Sequence, residues 1–340
     1  MSTRLLRRTA LLITGMTLIT GCGARIAPDP GSGGAANAAD FPITVTNCGR
    51  PRTFHEPPQR VVTNDIGITE LMFALGLQDR MAGYVLSDGQ RRGVESSPFR
   101  ERFEQVPHLA EEINKEVVRA ANADTVFAGW KYGFSETERF TPRRLDRAGI
   151  DSYVLTESCR SGSGEKRGIM PPLQALHTDL RNLGRIFGVP ERAEELISRY
   201  ERTVAEAHAS VPQGRPRPEV FLYDSGTSQP VTSGNGGAAS QIIAKAGGHN
   251  IFADLDDSWT GVSWEAVVRA DPDVILINDY GAGKTVQDKI DFLTSYPPLQ
   301  RVDAVRERRF FALPYAALVE GPRNPSAVRT FTDYLWHRSK

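Results

Sequence analysis

Residues 116–129, EVVRAANADTVFAG, and residues 265–278, EAVVRADPDVILIN, are two writings of one design. In each, a glutamate opens a short helical stretch rich in Val, Ala and Arg, an aspartate follows eight positions on, and a run of apolar, β-branched residues comes next. Glu116 and Glu265 stand 149 positions apart, as do Asp124 and Asp273. Self-similarity at a fixed offset is the mark of a repeated structural unit. Two copies a domain's length apart imply two lobes of one plan and not a solenoid.

Strand and helix signals alternate around both copies. Before the first, Arg60-Val61-Val62-Thr63 reads as a buried strand, Asn64-Asp65-Ile66-Gly67 as a polar turn, and Thr69 to Leu75 as a helix closed by Gly76. Met81 to Val85 and Asp151 to Leu155 are further strands, Ile43 to Val45 an edge strand, and Cys48 to Pro58 loop. The second half repeats the plan: strand Val220 to Tyr223, helix Ser240 to Ala246 stopped by Gly247-Gly248, a short strand Asn250 to Ala253, loop Asp254 to Thr260, and strands Val274 to Ile277 and Phe310 to Leu313. Alternation of this kind predicts α/β lobes with parallel sheets. Between them, Leu173, Leu176, Leu180, Leu183 and Phe187 share one helical face. After Gly188-Val189-Pro190, Glu191 to Ser210 spans about 30 Å at the helical rise, long enough to bridge two lobes.

The 340 residues suffice for two cores. Lys plus Arg and Asp plus Glu both number 41, so no global field favours nucleic acid. Arg4, Arg7 and Arg8 precede an apolar run from Leu11 to Ile19, too short to span a bilayer and right for a secretory leader. Leu18-Ile19-Thr20-Gly21-Cys22 resembles a bacterial lipobox, which would make Cys22 the lipidated first residue of the mature chain. Arg7-Arg8 also fits twin-arginine export. Residues 23–41, mostly Gly, Ala, Pro, Ser and Asn, read as a flexible tether. In an oxidising compartment, Cys48 and Cys159 either pair or stay as buried thiols.

No enzymatic constellation stands out. Gly283-Lys284-Thr285 has Asn278 where a phosphate loop needs its first glycine, and Ser163 has Ser161 where a nucleophile elbow needs one. His55, His108, His177, His208, His249 and His337 lack helical metal-pair spacing, so no free-metal site or cofactor is expected. Instead, aromatics follow strand ends: Trp130 and Tyr132, Tyr280, and Tyr315, with Trp259 just before the second repeat. Ligands of open parallel sheets bind at such ends, although each ring also suits its own lobe's core. Lys131 and Arg323 lie in the same loops and fit either an anionic ligand or the solvated surface. Glu116 and Glu265 occupy first helical turns, where the helix dipole alone favours a carboxylate.

The lipobox at Cys22, RVVTNDIGITELMFALGL, the two repeated blocks, GRIFGVPERAEELI and Pro322-Arg323 together resemble the substrate-binding lipoproteins of bacterial ABC importers for iron-siderophores and corrinoids. The resemblance implies two Rossmann-like lobes joined by a single long α-helix, a ligand cleft between them, and lobes that move little. It implies that Glu116 and Glu265 meet arginines of a permease, and that Trp130, Trp259 and Arg323 sit in the cleft. TVTNCG, DDSWTGVSWEAVV and a mid-chain cysteine are similar to a subset in high-G+C Gram-positive bacteria proposed to bind a deazaflavin-coenzyme precursor, which supports a Cys48–Cys159 disulfide. The expected organisation is leader 1–22, tether 23–41, first lobe 42–172, helical connection 173–212 and second lobe 213–340. The expected molecule is a monomeric, lipid-anchored, extracytoplasmic receptor, not an enzyme. Its expected ligand set is Trp130, Lys131, Tyr132, Trp259, Tyr280, Tyr315 and Arg323, with a ferric siderophore or similar chelate as ligand and an ABC permease with its ATPase as partner. A secreted enzyme or a sensor lipoprotein are the competing classes.

Overall fold

The computed structural model describes residues 41–161, 164–280 and 284–337. The expected leader with Cys22, the tether through residue 40, Ser163 and Gly281–Gly283 lie outside the described residues. No helix among the described residues is long and apolar enough to cross a membrane.

The first half opens with β1 (Ile43–Asn47) and β2 (Arg50–Phe54), paired antiparallel. Their turn is Cys48-Gly49, with φ of 49° and 71°, the doubly positive geometry that a two-residue hairpin turn demands. Residues 48–58 read as loop because Pro51 and two arginines mask the alternation. The structure corrects this, since a two-stranded ribbon tolerates proline at its edge. A disulfide joins Cys48 at this turn to Cys159, with the Cα atoms 5.2 Å apart.

Behind the hairpin stand β3 (Val61–Asn64), β4 (Met81–Val85), β5 (His108–Ala110), β6 (Thr125–Trp130), β7 (Gly133–Phe134) and β8 (Asp151–Val154). They form one parallel sheet in the order β5-β4-β3-β6-β7, with β8 also on β6. Helices α1 (Ile66–Ala74), α2 (Asp88–Arg91), α3 (Arg100–Gln105), α4 (Lys115–Ala120) and α5 (Pro142–Asp146) connect these strands. The expected start of α1 at Thr69 moves to Ile66, because the Asp65 carboxylate accepts the Gly67 N–H and caps the helix earlier.

Next come α6 (Pro172–Phe187) and α7 (Pro190–Ala209). Leu173, Leu176, Leu180, Leu183 and Phe187 of α6 enter the first core as the periodicity requires. Ala193, Leu196, Ile197 and Tyr200 of α7 join that core, whereas Ala207 belongs to the second and Val204 touches both. A single long helix therefore links the two hydrophobic cores.

The second half holds β9 (Glu219–Tyr223), β10 (Val231–Ser233), β11 (His249–Asn250), β12 (Trp259–Gly261), β13 (Val274–Asp279) and β14 (Phe310–Pro314). Its helices are α8 (Ala238–Lys245), α9 (Trp264–Ala270), α10 (Val286–Ser295), α11 (Asp303–Arg306), α12 (Tyr315–Leu318) and α13 (Asn324–Trp336). The parallel sheet runs β11-β9-β13-β14. The strand expected over 250–253 is shorter and earlier, and the loop expected through Thr260 ends in an antiparallel ribbon, β10 with β12.

The repeated aspartate has the same task in both halves. Asp124 Oδ2 accepts the backbone N–H groups of Gln59 (2.8 Å) and Arg60 (3.0 Å), while Asp273 Oδ2 accepts that of Glu219 (2.8 Å). Each carboxylate thus fastens the entry of a neighbouring strand, β3 or β9, to the start of its own, β6 or β13. The halves also touch backbone to backbone. A Cβ on Gly67 would lie 2.5 Å from the Glu320 carbonyl oxygen, closer than real Cβ atoms approach, so only glycine permits α1 to sit there.

Candidate functional site: a cleft between the two sheets

Strands β3, β6, β9, β13 and β14 finish at Asn64, Trp130, Tyr223, Asp279 and Pro314. At or just beyond those ends, Asn64, Lys131, Tyr132, Asp224, Tyr280 and Tyr315 line a cleft of about 920 Å3. Carboxyl ends of parallel strands are the usual ligand position, and the volume is that of a small-molecule site.

One wall is aromatic. Tyr280 and Tyr315 stack with ring centroids 4.4 Å apart and an interplanar angle of 27°. The Tyr315 hydroxyl donates to Asp65 Oδ2 (2.6 Å), which also accepts from Gln90 Nε2 (2.5 Å). These bonds and the Gly67 N–H hold Asp65 at φ 87°, a conformation rare for a residue with a side chain. Burial is the dominant influence on Asp65 and lifts its pKa to about 6 against the pull of its donors. Burial, reinforced by the nearby Asp65 charge, pushes the Tyr315 hydroxyl well above 10, so it remains a donor. Asp65 comes from the first half and Tyr315 from the second, so the cleft base is tied across both.

A second part of the lining centres on Arg167, whose side chain is buried. Its Nη2 donates to the Trp259 carbonyl (3.1 Å), its backbone N–H to Asp257 Oδ1 (3.2 Å), and its guanidinium lies 5.8 Å from the centre of the Tyr132 ring. Beneath Tyr280, Lys289 is buried and donates to the carbonyls of Asn278 (2.6 Å), Tyr280 (2.8 Å) and Asp224. Burial lowers the Lys289 pKa, with Asp224 acting against it. An internal cation thus pins the loops that leave β9 and β13. Among the described residues, the carboxylates lining the cleft are Glu111, Glu112, Glu138, Asp224 and Asp257, against two cations, Lys131 and Arg167. No group of three or more His, Cys, Asp or Glu among the described residues is arranged to hold a metal ion.

The sequence profile described as "periplasmic binding protein" matches residues 61–317, more than half of the chain. This chain belongs to the periplasmic binding protein family. YvrC of Bacillus subtilis, an uncharacterised ABC transporter substrate-binding lipoprotein, is 21% identical over 96% of this chain and 96% of its own. A periplasmic binding protein from Veillonella parvula superposes with a TM-score of 0.73 at 25% identity, covering 88% of this chain and 98% of that one. The periplasmic heme-binding protein RhuT from Roseiflexus superposes at 0.65 with 27% identity, covering 82% and 98%. This periplasmic binding protein is of the ABC-importer type, with the two-sheet, linking-helix fold of its structural neighbours.

Of the seven residues expected at the ligand, Lys131, Tyr132, Trp259, Tyr280 and Tyr315 line this cleft and two do not. Trp130 ends β6 beneath the Arg160 guanidinium, 3.6 Å from its ring centre, and lines a separate cavity beside the Cys48–Cys159 disulfide. The chain leaves β6 at Trp130 and turns at Lys131, whose φ is 63°, so Lys131 and Tyr132 enter the cleft while Trp130 stays on the sheet. Arg323 is buried in an ion pair with Glu70, Nε donating at 2.8 Å and 3.1 Å, and is not among the lining residues. Both placements correct the sequence expectation. Glu116 and Glu265 are exposed in the first turns of α4 and α9, capped by Asn114 and Ser263. Asp65, Gln90 and Arg167 escaped notice. Asp65 carried a signal, a polar residue at the end of a buried strand, whereas Arg167 sits in a charged stretch with no periodicity.

Proposed function

We propose that this chain is the extracytoplasmic, lipid-anchored receptor of an ABC importer. It captures an iron-siderophore or similar metal-organic small molecule in the cleft and hands it unchanged to a membrane permease. The observation that carries this reading is the stacked Tyr280–Tyr315 wall at the carboxyl ends of two parallel sheets, a large flat contact with polar edges. The heme-binding name of the RhuT neighbour and the lipoprotein name of YvrC support it. Cys22 is the proposed lipid attachment point. The acidic rim favours a second ligand for the same receptor, a planar ring bearing hydroxyl donors, as in a deazaflavin-coenzyme precursor. A corrinoid is the third ligand of this role.

Glu116 and Glu265 are the proposed permease contacts, one per lobe, each exposed and each at a capped helix start. The test is a Glu116→Ala, Glu265→Ala double variant in cells lacking the native copy, supplied with iron-labelled ferric trishydroxamate. Uptake is expected to fall at least about tenfold while the purified variant keeps its affinity, because arginine–carboxylate contacts are lost only at docking. Undiminished uptake by the double variant sinks the docking role, and absence of uptake by the unaltered protein sinks the siderophore reading.

A further inference from the structure

We propose that Tyr132, Arg167 and Trp259 form an anchor for one oxygen acceptor of the ligand, such as a carbonyl, hydroxamate or carboxylate, and that the acidic rim excludes multiply anionic ligands. The proposal rests on the receptor reading and specifies the chemistry of its site. The Tyr132 hydroxyl, Arg167 Nε and Trp259 Nε1 are buried and have no hydrogen-bond partner among the described residues. All three residues line the cleft. Buried polar atoms are nearly always paired, and leaving them unpaired is costly, so three together at one wall mark a place built for a partner.

The chemistry of the partner follows from the atoms. Arginine and indole nitrogens can only donate. Burial keeps the Tyr132 hydroxyl far above its ordinary pKa, hence protonated and able to donate as well. The Trp259 indole N–H lies near enough to influence that hydroxyl but without hydrogen-bond geometry. Arg167 Nε stands 3.6 Å from Asp257 Oδ1, beyond a good hydrogen bond. Asp257 therefore offsets the guanidinium charge without occupying its donor. The wall has donors to give and little net positive charge. Glu111, Glu112 and Glu138 repel further negative charge at the opening. A neutral or singly anionic acceptor with donors at its other end fits, and a trianionic chelate does not.

Benzohydroxamate, a ring carrying one acceptor group, is a suitable probe. In nitrogen-15 correlation spectra of the full chain, titration is expected to shift the Trp259 indole and Arg167 Nε–H signals saturably, with the Trp130 indole unmoved. Tyr132→Phe removes a hydroxyl that has no hydrogen-bond partner among the described residues. It is expected to keep the melting temperature while weakening probe affinity about tenfold, the worth of one good hydrogen bond. A merely structural tyrosine would show the reverse pattern. Ring signals of Tyr280 and Tyr315 that move while Trp259 and Arg167 stay silent overturn the anchor and leave the cleft reading intact. Silence of all four overturns both, and unchanged affinity in Tyr132→Phe removes the hydroxyl from the anchor.

Discussion

Arg323→Ala is expected to lose about 3–5 kcal/mol of folding stability, the usual cost of stripping one partner from a buried ion pair. Glu70 is fully buried in the middle of α1, and Arg323 opens α13 in the other half. Besides its bonds to Glu70, the guanidinium donates from Nη1 to Ser96 Oγ (3.2 Å) and from Nη2 to the Gly93 carbonyl (3.0 Å). Glu70 accepts a further bond from the Ser97 hydroxyl (2.5 Å). Burial drives the Glu70 pKa upward and Arg323 opposes it. Without the arginine, Glu70 either keeps an uncompensated charge or takes a proton and loses its strongest partner. A Glu70→Leu, Arg323→Met double variant is expected to recover most of the loss, because apolar pairs often replace buried ion pairs at little cost. Urea unfolding measures all of these. An Arg323→Ala variant within about 1 kcal/mol of the unaltered protein would refute the structural role and return Arg323 to consideration as a ligand residue.

Stability is expected to fall as pH rises from 5 to 8. The Glu157 carboxylate accepts the backbone N–H of Glu320 (2.6 Å) and that of Ala238 (3.0 Å), and Glu320 in turn accepts the backbone N–H of Glu157 (2.7 Å). This reciprocal clasp is fully buried and joins the two halves. Asp179, which accepts from Tyr153 (2.6 Å) and from the Thr156 backbone (2.8 Å), faces Glu320 as well. Burial above all, with the Asp179 charge added, pushes Glu320 well above 4.5. Burial also lifts Glu157 to about 7, despite its two backbone donors and the pull of Arg167. A carboxyl that holds its proton longer when folded gives stability that is complete below 4.5 and is lost as pH climbs through about 7. For Glu157 the loss amounts to about 3 kcal/mol, and Asp65, lifted to about 6, adds a comparable amount over a slightly lower window. Urea midpoints across this range should decline, and a Glu157→Ala variant should start lower and decline less. A flat or rising profile contradicts a clasp that folds with its protons on.

The doubled stretch was the most legible part of the sequence because its information is local. A first-turn glutamate, a helical face and an apolar strand each leave a pattern within a few residues, and Asp124 and Asp273 do the same job in space. The cleft was half legible: strand ends were visible, so Tyr280 and Tyr315 could be placed, but a strand's last residue can face either side of the sheet, and Trp130 faces away from the cleft. Arg323 shows a different limit. Its partner Glu70 is 253 positions distant in the sequence and lies in a helix that reads as ordinary, so nothing local reveals that the charge is already neutralised. The Trp259 ribbon was hidden in a stretch of aspartates and serine whose strand pairing depends on β10.

Native mass spectrometry of the chain purified from its own host tests the central claim most directly. One small-molecule adduct per chain, of a single mass, is expected in the unaltered protein and absent from a Trp259→Ala, Tyr280→Ala variant. A chain that emerges without any adduct, or a cleft variant that retains it undiminished, would contradict a receptor that works through this cleft.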